Sequence, residues 1–475
     1  MTRPRLPTWL LGAATLVAAS CGTPRPKEHL RPPATATGGG PAFGSGGSSP
    51  AGSGASTHLG GADLGGASSA SGGSSSSGSG GSGTVGSGAG GSGGEPVSGS
   101  GGTTPDYDCD APRGDTPAFS RQALRSAAAE CVQYYYCRFE GAATTLSDSV
   151  EDLALDPSAE HSAAAKAAWL GAFREWAVLE VMQFGPAASA SPTAGKDVYQ
   201  GHGVRDLIDS WPQISRCRVD EQVAQQSYQQ FGVEQALISA RGLLGIETLL
   251  YYEGFDTECG ASTATAATWS GLDAATIGQR RRDYAHALAD DVLGQAQGLA
   301  QTWSSGGGDF EQTFVSASGY PDEQEAMNVL GWSLLYIERE VKDWKLGVPA
   351  GYTTGAPVSA PEARFAGEQS ALLAGNIEGF RRLFQGCGPS YSGVGFDDWL
   401  VEAGHADLAT DILQASALAE GSVAGLARFP DATPAELQST YAVVKALTDL
   451  LKADLFGAGS PINLKLPASL EGDTD

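Results

Sequence analysis

The 475-residue chain reads as all-α: two packed helical bundles following a disordered Gly/Ser-rich tether. Three observations give that reading. From Asp106 onward apolar residues recur at helical spacing, period-two runs rich in β-branched residues are scarce, and a glycine-rich break, "SSGGGDF" at 304–310, divides the helical region into halves. About seven to nine helices of ordinary length are expected, and that many amphipathic helices pack most simply as bundles, here about 106–303 and 310–475. A cleft between two such bundles is where a ligand site is expected.

Residues 1–21, "MTRPRLPTWLLGAATLVAASC", have the layout of an export signal: basic Arg3 and Arg5, an apolar run from Leu6 to Ala19, then small residues up to Cys21. The run is too short and wrongly flanked for a membrane-spanning helix. Small residues before a cysteine resemble a bacterial lipobox, with Ala18 where leucine is usual. Cys21 is therefore the expected lipidation site, and the membrane a partner through its lipid. Gly22 after it points by analogy to an outer-membrane lipoprotein of the cell envelope, periplasmic or surface-exposed. Residues 22–105 form the linker. Within it, 34–105 are mostly Gly, Ser, Ala and Thr, with Asp63 and Glu95 the only formal charges, so burial cannot offset the chain entropy. A random coil of that length spans roughly 45–50 Å.

The first 105 residues are net +2, so the 370-residue domain at 106–475 carries −27 of the chain's net −25. Such a surface repels nucleic acid and anionic lipid, which excludes nucleic acid as an expected partner. Besides Cys21 there are six cysteines, at 109, 131, 137, 217, 259 and 387, an even number that suits disulfides in an exported protein. Their pairing stays open, except that Cys131 and Cys137 on one continuous helix would lie about 9 Å apart along its axis, too far to join.

The helices follow in order. "AAKAAWLGAFREWAVLEVMQFGP" places Trp169, Phe173, Trp176 and Glu180 on one face, with Gly185 and Pro186 as the stop. "QRRRDYAHALADDVLGQAQGLAQTW" does the same with Tyr284, Leu288, Val292 and Leu299. "DEQEAMNVLGWSLLYIEREVKDW", "EQSALLAGNIEGFRRLF", "HADLATDILQASALAEGSVAGLARF" and "PAELQSTYAVVKALTDLLKADLF" complete the chain.

Chemistry-bearing motifs are few. HExxH, GxSxG, Walker A and Rossmann patterns are missing from the folded region. His202 with Asp206, and His286 with Asp290, are four apart and could each share a helix face and a metal. The sharper feature is "ARGLLGIETLLYYEG" at 240–254. If 233–252 is one helix, Glu247 lies among Leu243, Leu244, Leu250 and Tyr251, and a carboxylate buried there must be paired, hydrogen-bonded or protonated. Arg241 or Arg205 is the expected partner. Gly242 and Gly245 would each weaken a helix interior by about 0.8–1 kcal/mol, a cost offset by close approach of another backbone or a ligand.

These segments together carry a family resemblance. "AWLGAFREWAVLEVMQFGP", "VRDLIDSWP", "RGLLGIETLLYYE", "RRRDYAHALADDV", "EREVKDWKLGVPAGY" with its Asp-x-Lys-Leu-Gly turn, "PEARFAGEQSALLAGNIEGFRRLF" and the terminal "LPASLEGDTD" follow one another as in the imelysin-like family, also classed as M75 peptidases and linked to iron-regulated lipoproteins. The resemblance implies an all-helical, two-bundle fold with a site at the bundle interface near a GxHxxE motif. Gly242 and Glu247 match that motif, but Leu244 stands at its histidine. Leucine neither ligates metal nor moves a proton. The resemblance therefore implies an envelope-anchored, non-catalytic component of iron uptake that binds a ligand or a metal (iron or another divalent ion), with Glu247, Glu180, Gly242, Leu244 and Arg241 around the pocket. Iron, haem or an envelope protein is the partner it suggests. Its alternatives are an M75-type metallopeptidase using a non-standard site and a scaffold whose site has decayed.

Overall fold

A computed structural model describes residues 110–188, 201, 203–353, 361–467 and 470; the export signal, Cys21, the tether and His202 lie outside them. In chain order the helices are α1 (Arg121–Leu155), α2 (Ala159–Leu179), α3 (Val204–Ile208), α4 (Arg216–Gln225), α5 (Ser227–Phe231), α6 (Gly242–Tyr251), α7 (Ala264–Trp269) and α8 (Ala274–Trp303). After the glycine-rich break come α9 (Phe310–Val315), α10 (Glu323–Trp332), a π-helix π1 (Ile337–Gly347), α11 (Val348–Ala350), α12 (Gln369–Phe384), α13 (Phe396–Glu402), α14 (Ala406–Ala424), α15 (Pro434–Leu450) and a short π-helix π2 (Leu451–Leu455). Among the described residues there is no strand, and no helix is long and apolar enough to cross a membrane.

Local chemistry sets many of the boundaries. Ser120, Ser158, Asp273 and Asp322 each accept a hydrogen bond from the backbone N–H three residues on, opening α1, α2, α8 and α10. Thr433 and Glu436 form a reciprocal capping box at α15, with Pro434 at its first position. The faces expected from periodicity are the buried ones: Trp169, Phe173, Trp176 and Glu180 on α2 and its end, and Tyr284, Leu288, Val292 and Leu299 on α8. However, α2 stops at Leu179, and the chain turns before Gly185 and Pro186.

The first group of helices packs α1 against both α2 and α8, with α6 laid on α8 and α2. In the second, π1 and α14 flank α15, while α12 and α13 pack on α14. The two groups meet where α12 crosses α2. A Cβ on Gly375 would come within 2.7 Å of the Ala177 Cβ, and one on Gly379 within 2.4 Å of the Val178 carbonyl oxygen, so only glycine permits this approach. A disulfide from Cys131 in α1 to Cys387 beyond α12 ties the same two groups, and Cys217–Cys259 ties α4 to the segment before α7. Cys137 is disulfide-bonded as well.

Two local expectations change. The 233–252 stretch is not one helix: two 3-10 turns, Val233–Gln235 and Ile238–Ala240, precede α6. Gly242 therefore opens α6, with φ of +70°, instead of weakening its interior; a Cβ there would lie 2.4 Å from the Ile208 carbonyl oxygen. The Asp-x-Lys-Leu-Gly segment is not a turn but the end of π1.

Gly242→Ala combines a left-handed backbone with a clash against fixed backbone, and is expected to cost about 2 kcal/mol or more in denaturant unfolding. Gly294→Ala, on the open face of α8 with nothing within 4 Å of the new methyl, is expected to stabilise by about 0.5–1 kcal/mol. Equal effects from the two substitutions would contradict this assignment.

Candidate functional site

Glu247 is 3 % exposed, one turn into α6. Neither Arg241 nor Arg205 partners it. Arg241, at the N-cap of α6, is bound to Asp291 of α8 through Nη2 at 2.6 and 2.8 Å and Nε at 3.1 Å. Glu247 Oε1 instead accepts hydrogen bonds from the backbone N–H groups of Phe365 (2.7 Å) and Ala366 (2.8 Å), in the segment leading into α12. Its second oxygen has no hydrogen-bond partner among the described residues. Burial pushes the carboxyl up to about 7 against the opposing pull of the two N–H groups and of Arg364, with Glu362 adding to the rise.

Glu247 lines a cavity of about 30 Å³, room for a water molecule or a small ligand group. Leu244, Trp211, Pro212 and Phe365 supply apolar wall, and Arg364 stands at its side. The motif's histidine position is thus filled by a buried leucine, one turn from the glutamate and sharing its cavity.

Behind this cavity, sharing Trp211 and the 361–363 segment with it, lies a buried ionic cluster. Glu180, at the end of α2, receives Arg205 Nη2 at 2.8 Å on Oε1 and Lys345 Nζ at 2.9 Å on Oε2. Lys345 Nζ also meets Glu362 Oε2 at 2.9 Å and Asn376 Oδ1 at 3.0 Å. Asn376 donates from Nδ2 to the Ala177 carbonyl (2.8 Å) and to Glu180 (3.2 Å). Arg205 reaches Asp209 Oδ2 at 3.5 Å, Asp206 Oδ1 at 3.2 Å and the Trp211 carbonyl at 2.6 Å. All of these residues are at most 2 % exposed. Burial raises the carboxyls of Asp209 and Glu362, although Arg205 and Lys345 pull them down. Burial alone would lower the Lys345 ammonium, but Glu180, Glu362 and Asp209 outweigh it and hold the charge.

Sequence reasoning reaches Glu180 and misses Asp209, Glu362, Lys345 and Asn376, although "VRDLIDSWP" and "EREVKDWKLGVPAGY" contain two of them and "PEARFAGEQSALLAGNIEGFRRLF" the other two. Of the metal candidates, Asp206 is spent on Arg205, and the His286–Asp290 pair lies 3.6 Å apart and half-exposed on α8, with Asp290 accepting from Ser147 at 2.5 Å. Glu180, Asp209 and Glu362 do come within metal-ligating distance of one another, their oxygens inside 4.8 Å. The residues nevertheless do not fit a bound iron or zinc ion: the trio already holds Lys345 and Arg205, and the cavity offers one carboxylate oxygen.

Fold and site together define an all-helical, two-bundle protein whose bundle interface is closed by buried charge. The Imelysin (peptidase M75) family model matches residues 133–455, and the chain belongs to that family. It is similar in structure to an imelysin-like protein from Psychrobacter arcticum 273-4, at 16 % identity and a TM-score of 0.53 over 74 % of this chain and 99 % of that one. It is also similar to an iron-regulated protein A precursor from Parabacteroides distasonis ATCC 8503, at 16 % identity and 0.53 over 73 % and 98 %. None of the curated proteins compared matches the chain.

The Glu247 geometry has a pH signature. Its proton is held more tightly in the folded chain, so its contribution to stability is greatest below the ordinary value of 4.5 and is lost as pH rises to about 7. The full loss is about 3 kcal/mol. Glu247→Gln keeps an acceptor for Phe365 and Ala366 and removes the titration. Stability curves of the native chain and this variant are expected to diverge between pH 5 and 7, with the variant the more stable at pH 8; parallel curves would refute the assignment.

Proposed function

We propose that the protein is a lipid-anchored, non-catalytic member of its family at the cell envelope, acting by binding in an iron-related role. The observation that carries this reading is Leu244. Among the described residues there is no histidine beside Glu247, which is held by two backbone N–H groups, and the cavity they line has no acid–base pair and no second metal ligand. What it offers is an apolar wall with one carboxylate oxygen open to a hydrogen-bond donor on a ligand. The iron-related part is supported by the similarity to an iron-regulated protein A precursor. The anchor is supported by the export signal ending at Cys21 and by the long tether after it.

The test is direct. The purified chain, supplied in turn with zinc, manganese and iron, is expected to leave an unfolded protein substrate uncleaved, while its abundance in cells rises when iron is withheld. Metal-dependent cleavage that disappears in Glu247→Gln would overturn the non-catalytic reading. Abundance indifferent to iron would overturn the iron-related one.

A further inference from the structure

We infer that Lys345 is the resident cation of the Glu180–Asp209–Glu362 site, holding by a covalent tether the position that a divalent metal ion would take. This goes beyond the reading of the Glu247 cavity and does not depend on it. The ammonium group donates to Glu180 Oε2 at 2.9 Å and to Asn376 Oδ1 at 3.0 Å and forms an ion pair with Glu362 Oε2 at 2.9 Å, three partners from three separate elements. Those distances suit N–H···O contacts. A zinc or magnesium ion would need its oxygens at about 2.0–2.2 Å, a contraction by almost 1 Å from every side of a close-packed interior.

Arg205 completes the arrangement. It takes the remaining oxygen of Glu180 and reaches Asp209, so each carboxylate of the trio already faces a cation supplied by the chain itself. Counting Asp206, four acids surround two bases. Burial raises the carboxyls of both Asp209 and Glu362, which disfavours their charged forms. The site therefore does the structural work of a metal centre, joining α2, π1, α12 and the 361–363 segment, without taking up metal.

The inference is tested on the full chain after exhaustive dialysis against chelator. Native protein is expected to show a melting temperature unchanged by Mn(II), Zn(II) or Fe(II), and no stoichiometric binding of any of them. Lys345→Met keeps the side-chain volume and removes the cation. It is expected to melt several degrees lower at every metal concentration, with part of the loss recovered when Glu362→Gln removes the carboxylate it leaves unpaired. Where Lys345→Met does not fold, Lys345→Ala refolded with ethylammonium serves in its place: recovery of folded protein supports the inference, and none overturns it. One equivalent of metal bound by the native chain, and lost in Glu180→Gln, overturns it. So does a folded Lys345→Met variant that melts with the native chain.

Discussion

The ammonium of Lys345, surrounded by Glu180, Glu362 and Asn376 with no exposure to water, is the contact on which the rest of the interface depends. Placing two cations and four acids in a dry interior carries a large desolvation cost, which their ion pairs and hydrogen bonds offset. Those contacts make demands on the backbone. Asn376 reaches Glu180 only because Gly375 and Gly379 let α12 press onto α2. Arg205 arrives on α3, whose end carbonyls touch the opening of α6 at Gly242. The wider π1 helix turns five charged residues inward, sending Lys345 to this cluster and Lys342 to Glu338 and Asp343. A buried network of this kind contributes less to net stability than to fixing one arrangement of the two helix groups.

The same elements build the Glu247 cavity. Trp211 accepts from Arg205 on one side and forms cavity wall on the other, and the segment that delivers Glu362 to Lys345 then delivers the two N–H groups that hold Glu247. Cluster and cavity are thus one construction with two faces: a closed ionic core and a small, mostly apolar recess. Leu244 decides what the recess can do. A histidine there would stand beside a carboxyl whose proton is poised near neutrality; leucine supplies neither a proton donor nor a metal ligand.

Much of this was legible in the sequence. The faces of α2 and α8 and the burial of Glu247 follow from periodicity, because a helix buried on one side must repeat its apolar residues. The short helices α3 and α5 and the split before α6 were not legible, since five-residue elements are placed by tertiary contacts and a positive φ at Gly242 leaves no periodic trace. The cluster was hidden for a different reason. "EREVKDWKLG" reads by composition as a solvated face, and only the long-range meeting of Lys345 with residues from 180 to 376 makes it core. The partner of Glu247 was missed likewise: arginines are visible in sequence, whereas two backbone N–H groups more than a hundred residues away are not.

An anomalous difference map from crystals of the native chain grown in excess Mn(II) addresses the tethered-cation account most directly. The account predicts no peak among Glu180, Asp209 and Glu362, and Lys345 Nζ in contact with Glu180, Glu362 and Asn376. A peak at the centre of the three carboxylates, with Lys345 displaced from it, would contradict the account.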